Sequence, residues 1–300
     1  FSSYQDEPEF GGTIRCVGPI PVEGCTDESA CNYDENANQD DGSCQYNSAG
    51  TWYVVSTGGD DNNCGSESYP LGSIQEAINK ASEGDTINVS EGTYFENIDF
   101  QSKILSIIGA DSDAPELTVI DGGGNGSVVR ITDAGSFGGD PPTLSNFLIT
   151  GGYAIEGGGI YVNNSAPHII NCRIAGNSSF DTGGAIFGDS VFGLRIERCV
   201  IFNNNATVAG DVMKLYGGSA YTKILNSTIL AGSDDCSIRL STSDLTVINS
   251  IIWAQDGVSI CEDDNYFSVE YSLIGKEGGG VYGGPGNINE DPLFTDQDSE

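Results

Sequence analysis

The chain has 300 residues, 38% hydrophobic and only 18% charged, and its 11 basic against 44 acidic residues leave a net charge of −33. Such a field repels nucleic acid, anionic membrane surfaces and acidic polysaccharides unless cations intervene, and it makes divalent cations natural partners. No apolar run approaches the roughly 18 residues of a membrane span, so no membrane insertion is expected.

Glycine, at 42 residues, is about twice its usual share without a three-residue period, which fits a turn-rich β protein rather than a collagen. Five of the nine cysteines fall in the first 64 residues, the pattern of a disulfide-stapled region in an oxidising compartment. The odd number leaves at least one thiol without a partner in the chain. The chain opens at Phe1 with no signal-peptide pattern, so a processed, secreted protein is expected.

Residues 1–24, with Pro19 and Pro21, read as an extended N-terminal arm: either a loose terminus or a strand that pairs with another copy. Residues 25–47 form a Cys/Asp-rich module in which Asp27, Asp34, Asn36, Asn38, Asp40 and Asp41 are candidate ligands. Alternating side-chain oxygens turn several donors of one short loop onto a hard cation, and Ca²⁺ is the cofactor they would take. The spacing is not that of an EF-hand, because Gln39 stands where that loop needs Gly. A loop of Asx turns held by disulfides explains the same residues. Cys16, Cys25, Cys31 and Cys44 are disulfide candidates here, and Cys236 and Cys261 further on.

Residues 48–100 read as an N-terminal cap and first coil. A strand at Trp52–Ser56 precedes a capping box, Ser73 to Glu76, with Ile74, Ala77, Ile78 and Ala81 on one helical face and Gly84 as C-cap. A strand at Asp85–Val89 follows. One amphipathic helix ahead of many strands suits a cover over the open end of a solenoid.

From residue 101 to 300 one motif recurs: Leu144–Ile149, Ile169–Ile174, Ile196–Ile201, Ile224–Ile229, Val247–Ile252 and Val269–Ile274. Their third positions, 146, 171, 198, 226, 249 and 271, are spaced by 25, 27, 28, 23 and 22 residues. Further strands lie at 159–162, 185–187 and 237–240, with Gly/Asn/Asp turns between. The period, with Ile and Val rather than a leucine-rich pattern, predicts an all-β right-handed parallel β-helix. Its fourth positions, Phe147, Cys172, Cys199, Ser227, Ser250 and Ser272, should stack inside it, the two cysteines as thiols. Asn171, Asn226 and Asn249 should form an amide ladder.

Three resemblances add to this. Residues 24–44, GCTDESACNYDENANQDDGSC, closely resemble a short module of secreted and surface proteins of marine Bacteroidota, which implies export, often by type IX secretion. Gly157–Tyr161 and Gly183–Phe187, each near an Asn-rich end (174–177 and 201–204), are similar to the repeats of polymorphic outer-membrane proteins, which are adhesins. Residues 53–97 resemble the N-terminal cap of secreted pectate-lyase-like β-helix proteins, and Gly286–Phe294 resembles their closing segment, after which the chain normally continues. Asp189-Ser190-Val191 resembles the O-glycosylation sequon of Bacteroidota and makes Ser190 a candidate.

No catalytic set emerges. The resemblance to pectate lyases implies a Ca²⁺-binding Asp cluster with an Arg or Lys base, for which Arg130, Arg173, Arg195, Arg198, Arg239, Lys214 and Lys223 are available; a solvated Arg/Asp ladder accounts for the same residues. The four segments of polygalacturonases are absent, and the Asp pairs at 234–235 and 263–264 sit in turns. His168, the only histidine, stands beside no nucleophile motif. The expectation is therefore a non-enzymatic extracellular protein, a cell-surface adhesin or the subunit of a surface filament. Its partners would be copies of itself, through the arm or the solenoid ends, or surface glycans. The alternative is a carbohydrate-active β-helix enzyme, a polysaccharide lyase or glycosidase. A glycan-binding face would need exposed aromatics, for which Tyr153, Tyr161, Phe187, Phe192, Tyr216 and Tyr221 are candidates.

Overall fold

The computed structural model describes residues 20–290 other than 48–49, 136–138, 209–211, 218–220, 232–235, 242–243, 255–257, 264–266, 276–281 and 289. The chain divides into two compact units, Phe1–Tyr46 and Asn47–Glu300.

In the first unit, Glu23–Gly24 pairs in parallel with Gln39–Asp40, so the small module begins two residues before Cys25. A disulfide joins Cys25 to Cys44, with Cα atoms 4.7 Å apart, and Cys31 is also disulfide-bonded. Cys16 and most of the arm lie outside the described residues.

The second unit is a parallel β-helix. Among the described residues its first face has nine strands, from Thr51–Val54 to Phe267–Glu270. The second has eight, from Gly92–Tyr94 to Leu273–Ile274, and the third seven, from Ile98–Asp99 to Val258–Asp263. On all three faces strands pair in parallel with their counterparts in the neighbouring coils, so apolar side chains stack into one continuous core. A second disulfide joins Cys236 and Cys261 on the third face, and Cys64 is bonded as well. Disulfides of this kind belong to proteins that mature in an oxidising compartment, as secreted proteins do.

The recurring six-residue motif is not one strand but two with a corner between them, as in Thr143–Ser145 followed by Leu148–Thr150. Each third position takes the left-handed conformation: φ is 64° at Asn146, 51° at Asn171, 54° at Arg198, 50° at Asn226 and Asn249, and 49° at Tyr271. Asn adopts this region more readily than most residues, and its amide is then free to stack. Asn171 Nδ2 donates to Asn146 Oδ1 at 2.9 Å, and Asn249 Nδ2 to Asn226 Oδ1 at 2.7 Å. The next residue of each corner turns inward, so Phe147, Cys172, Cys199, Ser227, Ser250 and Ser272 line the interior at 4% exposure or less. There the backbone N–H of Cys199, Ser227 and Ser250 each donates to the hydroxyl one coil on, at 3.1 Å. Cys172 and Cys199 are free, buried thiols; burial raises both, Cys199 to about 11.

The helix, Ile74–Lys80, buries Ile74, Ala77 and Ile78 in the solenoid core, and Ser73 Oγ caps its start by accepting from Glu76 N–H. Its far end is closed without Gly84: Ala81 is the C-cap, and Lys103 Nζ donates to the carbonyls of Ile78, Asn79 and Ala81.

Candidate functional site

The three longest repeats, 25, 27 and 28 residues, carry an extra strand each. Tyr153–Glu156, Ser178–Thr182 and Asn205–Ala206 form a small parallel sheet between the second and third faces, a fin. Two buried amides pin the corner from which it springs. Asn177 Oδ1 accepts from Gly152 N–H at 2.9 Å, and its Nδ2 donates to Ile149 O and to Asn204 Oδ1, each at 3.0 Å. Asn204 Nδ2 donates to Ile174 O at 2.8 Å and Phe202 O at 2.9 Å. From the fin the chain re-enters the third face through Gly157–Gly159 and Gly183–Ala185. There Gly157 and Gly183 have φ of +63° and +66°, and a Cβ on Gly158 would collide with the carbonyl of Ser178.

The angle between fin and third face is a cleft of about 650 Å³, lined by Gly126, Ser127, Arg130, Tyr153–Glu156, Tyr161 and Phe180. Arg130 and Tyr161 are in register on neighbouring strands of the third face, and the guanidinium lies 4.4 Å above the ring centre. Arg130 Nε is 3.9 Å from Asp99 Oδ2, and Tyr161 stacks on Phe187 with ring centres 5.6 Å apart. Tyr153, Ile155 and Phe180 are exposed on the fin at 55%, 71% and 63%. Glu156 ends the fin strand Tyr153–Glu156 and lines the cleft. Burial pushes its carboxyl above the usual carboxylate range, and the negative charges of Asp181 and Asp189 push the same way. Burial likewise raises the Tyr161 phenol, with Glu156 adding to it and Arg130 opposing. A carboxyl whose proton is held more tightly than usual, in a cleft with exposed rings, can donate a proton to a bound ligand.

Of the residues singled out in the sequence, the cleft takes Arg130, Tyr153 and Tyr161, with Phe187 behind Tyr161. Glu156, Phe180 and Asp181 were not foreseen, although the lengthened repeat intervals mark the extra strands that carry them. His168, Arg195 and Lys223 lie on the first face instead. The Asp pair at 234–235 and Asp264 fall outside the described residues. Ser190 stands in a left-handed turn, φ 53°, and its hydroxyl donates to Asp189 Oδ1 at 3.0 Å.

The six proposed calcium ligands all take part in hydrogen bonds of the module. Asp27 Oδ1 accepts from Ser29 N–H and Oγ–H, and Asp27 Oδ2 from the Tyr46 hydroxyl. Asp34, Asp40 and Asp41 each accept from the backbone N–H two residues on, and Asn38 Oδ1 accepts from Val22 N–H. Asn36 donates its Nδ2 to Asp34 Oδ1. Hydrogen bonds, from Tyr46 first and then Ser29, hold Asp27 below the usual carboxylate range, and Ser43 does so for Asp41. These are Asx turns, and among the described residues no three His, Cys, Asp or Glu side chains form a group fit to hold a metal.

No protein-family model matches the sequence, and no curated protein is similar to it in sequence. Among solved structures, the chain is similar to a pectin methylesterase from carrot, with a TM-score of 0.44 and 17% identity over 80% of this chain and 88% of that one. It is also similar to a rhamnogalacturonan lyase, with a TM-score of 0.37 and 12% identity over 75% and 68% of the two chains. Both neighbours are enzymes, and the expectation of a non-enzymatic protein is withdrawn.

Proposed function

We propose that this chain is a secreted carbohydrate-active enzyme that cleaves glycosidic bonds in the cleft between fin and third face, with Glu156 as general acid. The observation that carries this reading is Glu156 itself, a carboxyl raised by burial and set in an open cleft with Arg130 and exposed rings. Tyr153 and Phe180 offer faces on which sugar rings stack, and Arg130, held by Tyr161 and Asp99, orients ligand oxygens. Asp181 and Asp189, whose charges reach Glu156, are the carboxylates from which the second member of an acid/base pair would come. With Asp99 on Arg130 and the charges of Asp181 and Asp189 reaching Glu156, a neutral glycan is favoured in this cleft over a polyanionic one.

A reducing-end assay over a panel of neutral and acidic polysaccharides tests it. Turnover of a neutral glycan is expected, and Glu156→Gln should lower it by roughly 10²–10⁴-fold while glycan binding persists. Undiminished turnover in Glu156→Gln, or no turnover of any glycan, overturns the proposal.

A further inference from the structure

The first face presents a second, chemically different surface. Its strands pair in register through Thr51, Thr86, Ser106, Thr143, His168, Arg195, Lys223, Thr246 and Ser268. One position on, Ile87, Ile107, Leu144, Ile169, Ile196, Ile224, Val247 and Val269 are buried and Trp52 is partly buried against the core, so this column points outward. It holds hydroxyls, one imidazole and two cations and no acid, in a chain with 44 acids and 11 bases. The three nitrogen side chains occupy successive coils, roughly 4.8 Å apart.

Beside the column, Arg198 stands in the corner between Asn171 and Asn226 and interrupts the amide ladder there. Glu197, its side chain 15% exposed, binds Arg195 Nη2 at 2.6 Å and Arg198 Nη1 at 2.7 Å. One carboxylate therefore orients two guanidiniums that stay 38% and 57% exposed. Arg195, Arg198 and Lys223 against Glu197 leave a local surplus of two positive charges. The net charge of −33 opposes an anionic ligand at long range. That opposition is screened beyond about 8 Å at physiological ionic strength, so contacts on the face itself decide binding.

We infer that the first face is a binding site for a linear anionic polysaccharide, laid along the helix axis with its sulfate or carboxylate groups on Arg195, Arg198 and Lys223 and its sugar hydroxyls on the flanking Thr and Ser column. This surface is separate from the cleft and stands whether or not Glu156 is catalytic.

The test is fluorescence anisotropy of the full chain with three labelled octasaccharides: heparin-derived, polygalacturonate and neutral cello-oligosaccharide. One or both polyanions should bind saturably, more weakly as salt rises, and the neutral chain should not match them. Stronger binding of the first identifies sulfate as the favoured group, and of the second, uronate carboxylate. Arg195→Gln/Lys223→Gln should weaken polyanion binding about tenfold, about 1.4 kcal/mol. Lys223→Glu alone, at an exposed position, should weaken it without touching the Arg195–Glu197–Arg198 set. Glu156→Gln should leave it unchanged. Absence of saturable polyanion binding, equal binding of the neutral chain, or undiminished binding by both column variants overturns the inference.

Discussion

The first and third faces of the solenoid share one core and one strand geometry, yet their outward columns differ in kind. On the third face the column runs Asp99, Arg130, Tyr161, Phe187, Lys214, Arg239, with an acid and two rings among its cations, and a fin rises beside its first coils to make a cleft. On the first it runs Thr143, His168, Arg195, Lys223 along an open surface. Inward positions are held to Ile, Leu and Val because each stacks on the next coil. Outward positions answer to no such constraint, so each face is free to carry its own chemistry. A concave surface suits reaction on a bound ligand, and a flat charged one suits holding a chain.

The largest effect that bears on this contrast should come from the interior. Phe147 is fully buried at a corner between the first two faces, and Phe147→Ala should cost about 3–5 kcal/mol in urea unfolding. Both surfaces should then fail together on warming; separate loss would show that the faces do not share one cooperative core. Asn177→Ala acts on one side only. It removes the amide that satisfies Gly152 N–H, Ile149 O and Asn204 Oδ1, at a cost of about 1–3 kcal/mol. Hydrogen exchange should quicken in the fin, and turnover in the cleft should fall, while polyanion binding to the first face stays as it was. Equal damage to both functions would break the comparison.

The solenoid was legible because its core repeats: Ile169, Ile196 and Ile224 recur at the same place in each motif and stack one on the next. The corner was not, because a left-handed residue such as Asn171 shifts the inward/outward alternation by one and makes two strands look like one apolar run. The fin was written only in repeat length. Glu156 could not be picked out of 44 acids, since what distinguishes it is its partial burial and the charges of Asp181 and Asp189, which converge only in the folded coil. In the Cys-rich module oxygen alternation and successive Asx turns share one sequence pattern, and the turns at Asp34 and Asp40 became visible only with the backbone.

The smallest effect is in pH, and it separates the two faces by residue. Glu156 is raised above its ordinary value of 4.5, so its proton persists to higher pH than on a free carboxyl. Turnover that needs this proton should fall as pH rises through the raised value, and the corresponding stability, present below 4.5, is lost over the same interval. His168 is moved the other way, below 6.5, by burial first and then by Arg195, with Glu197 opposing. The shift favours its neutral form, and its stability contribution, present above 6.5, is lost as pH falls through the lowered value. The same protonation adds a third net positive charge beside Arg195 and Lys223, so polyanion binding should tighten by roughly two- to fivefold as the pH is lowered through it. His168→Gln should flatten that binding profile and leave the pH dependence of turnover intact, whereas Glu156→Gln should abolish the turnover limb and leave binding to tighten as before. Anisotropy and rate measured on the same samples between pH 4 and 8 decide it: a His168→Gln variant whose binding still tightens on acidification would remove His168 from the first-face column.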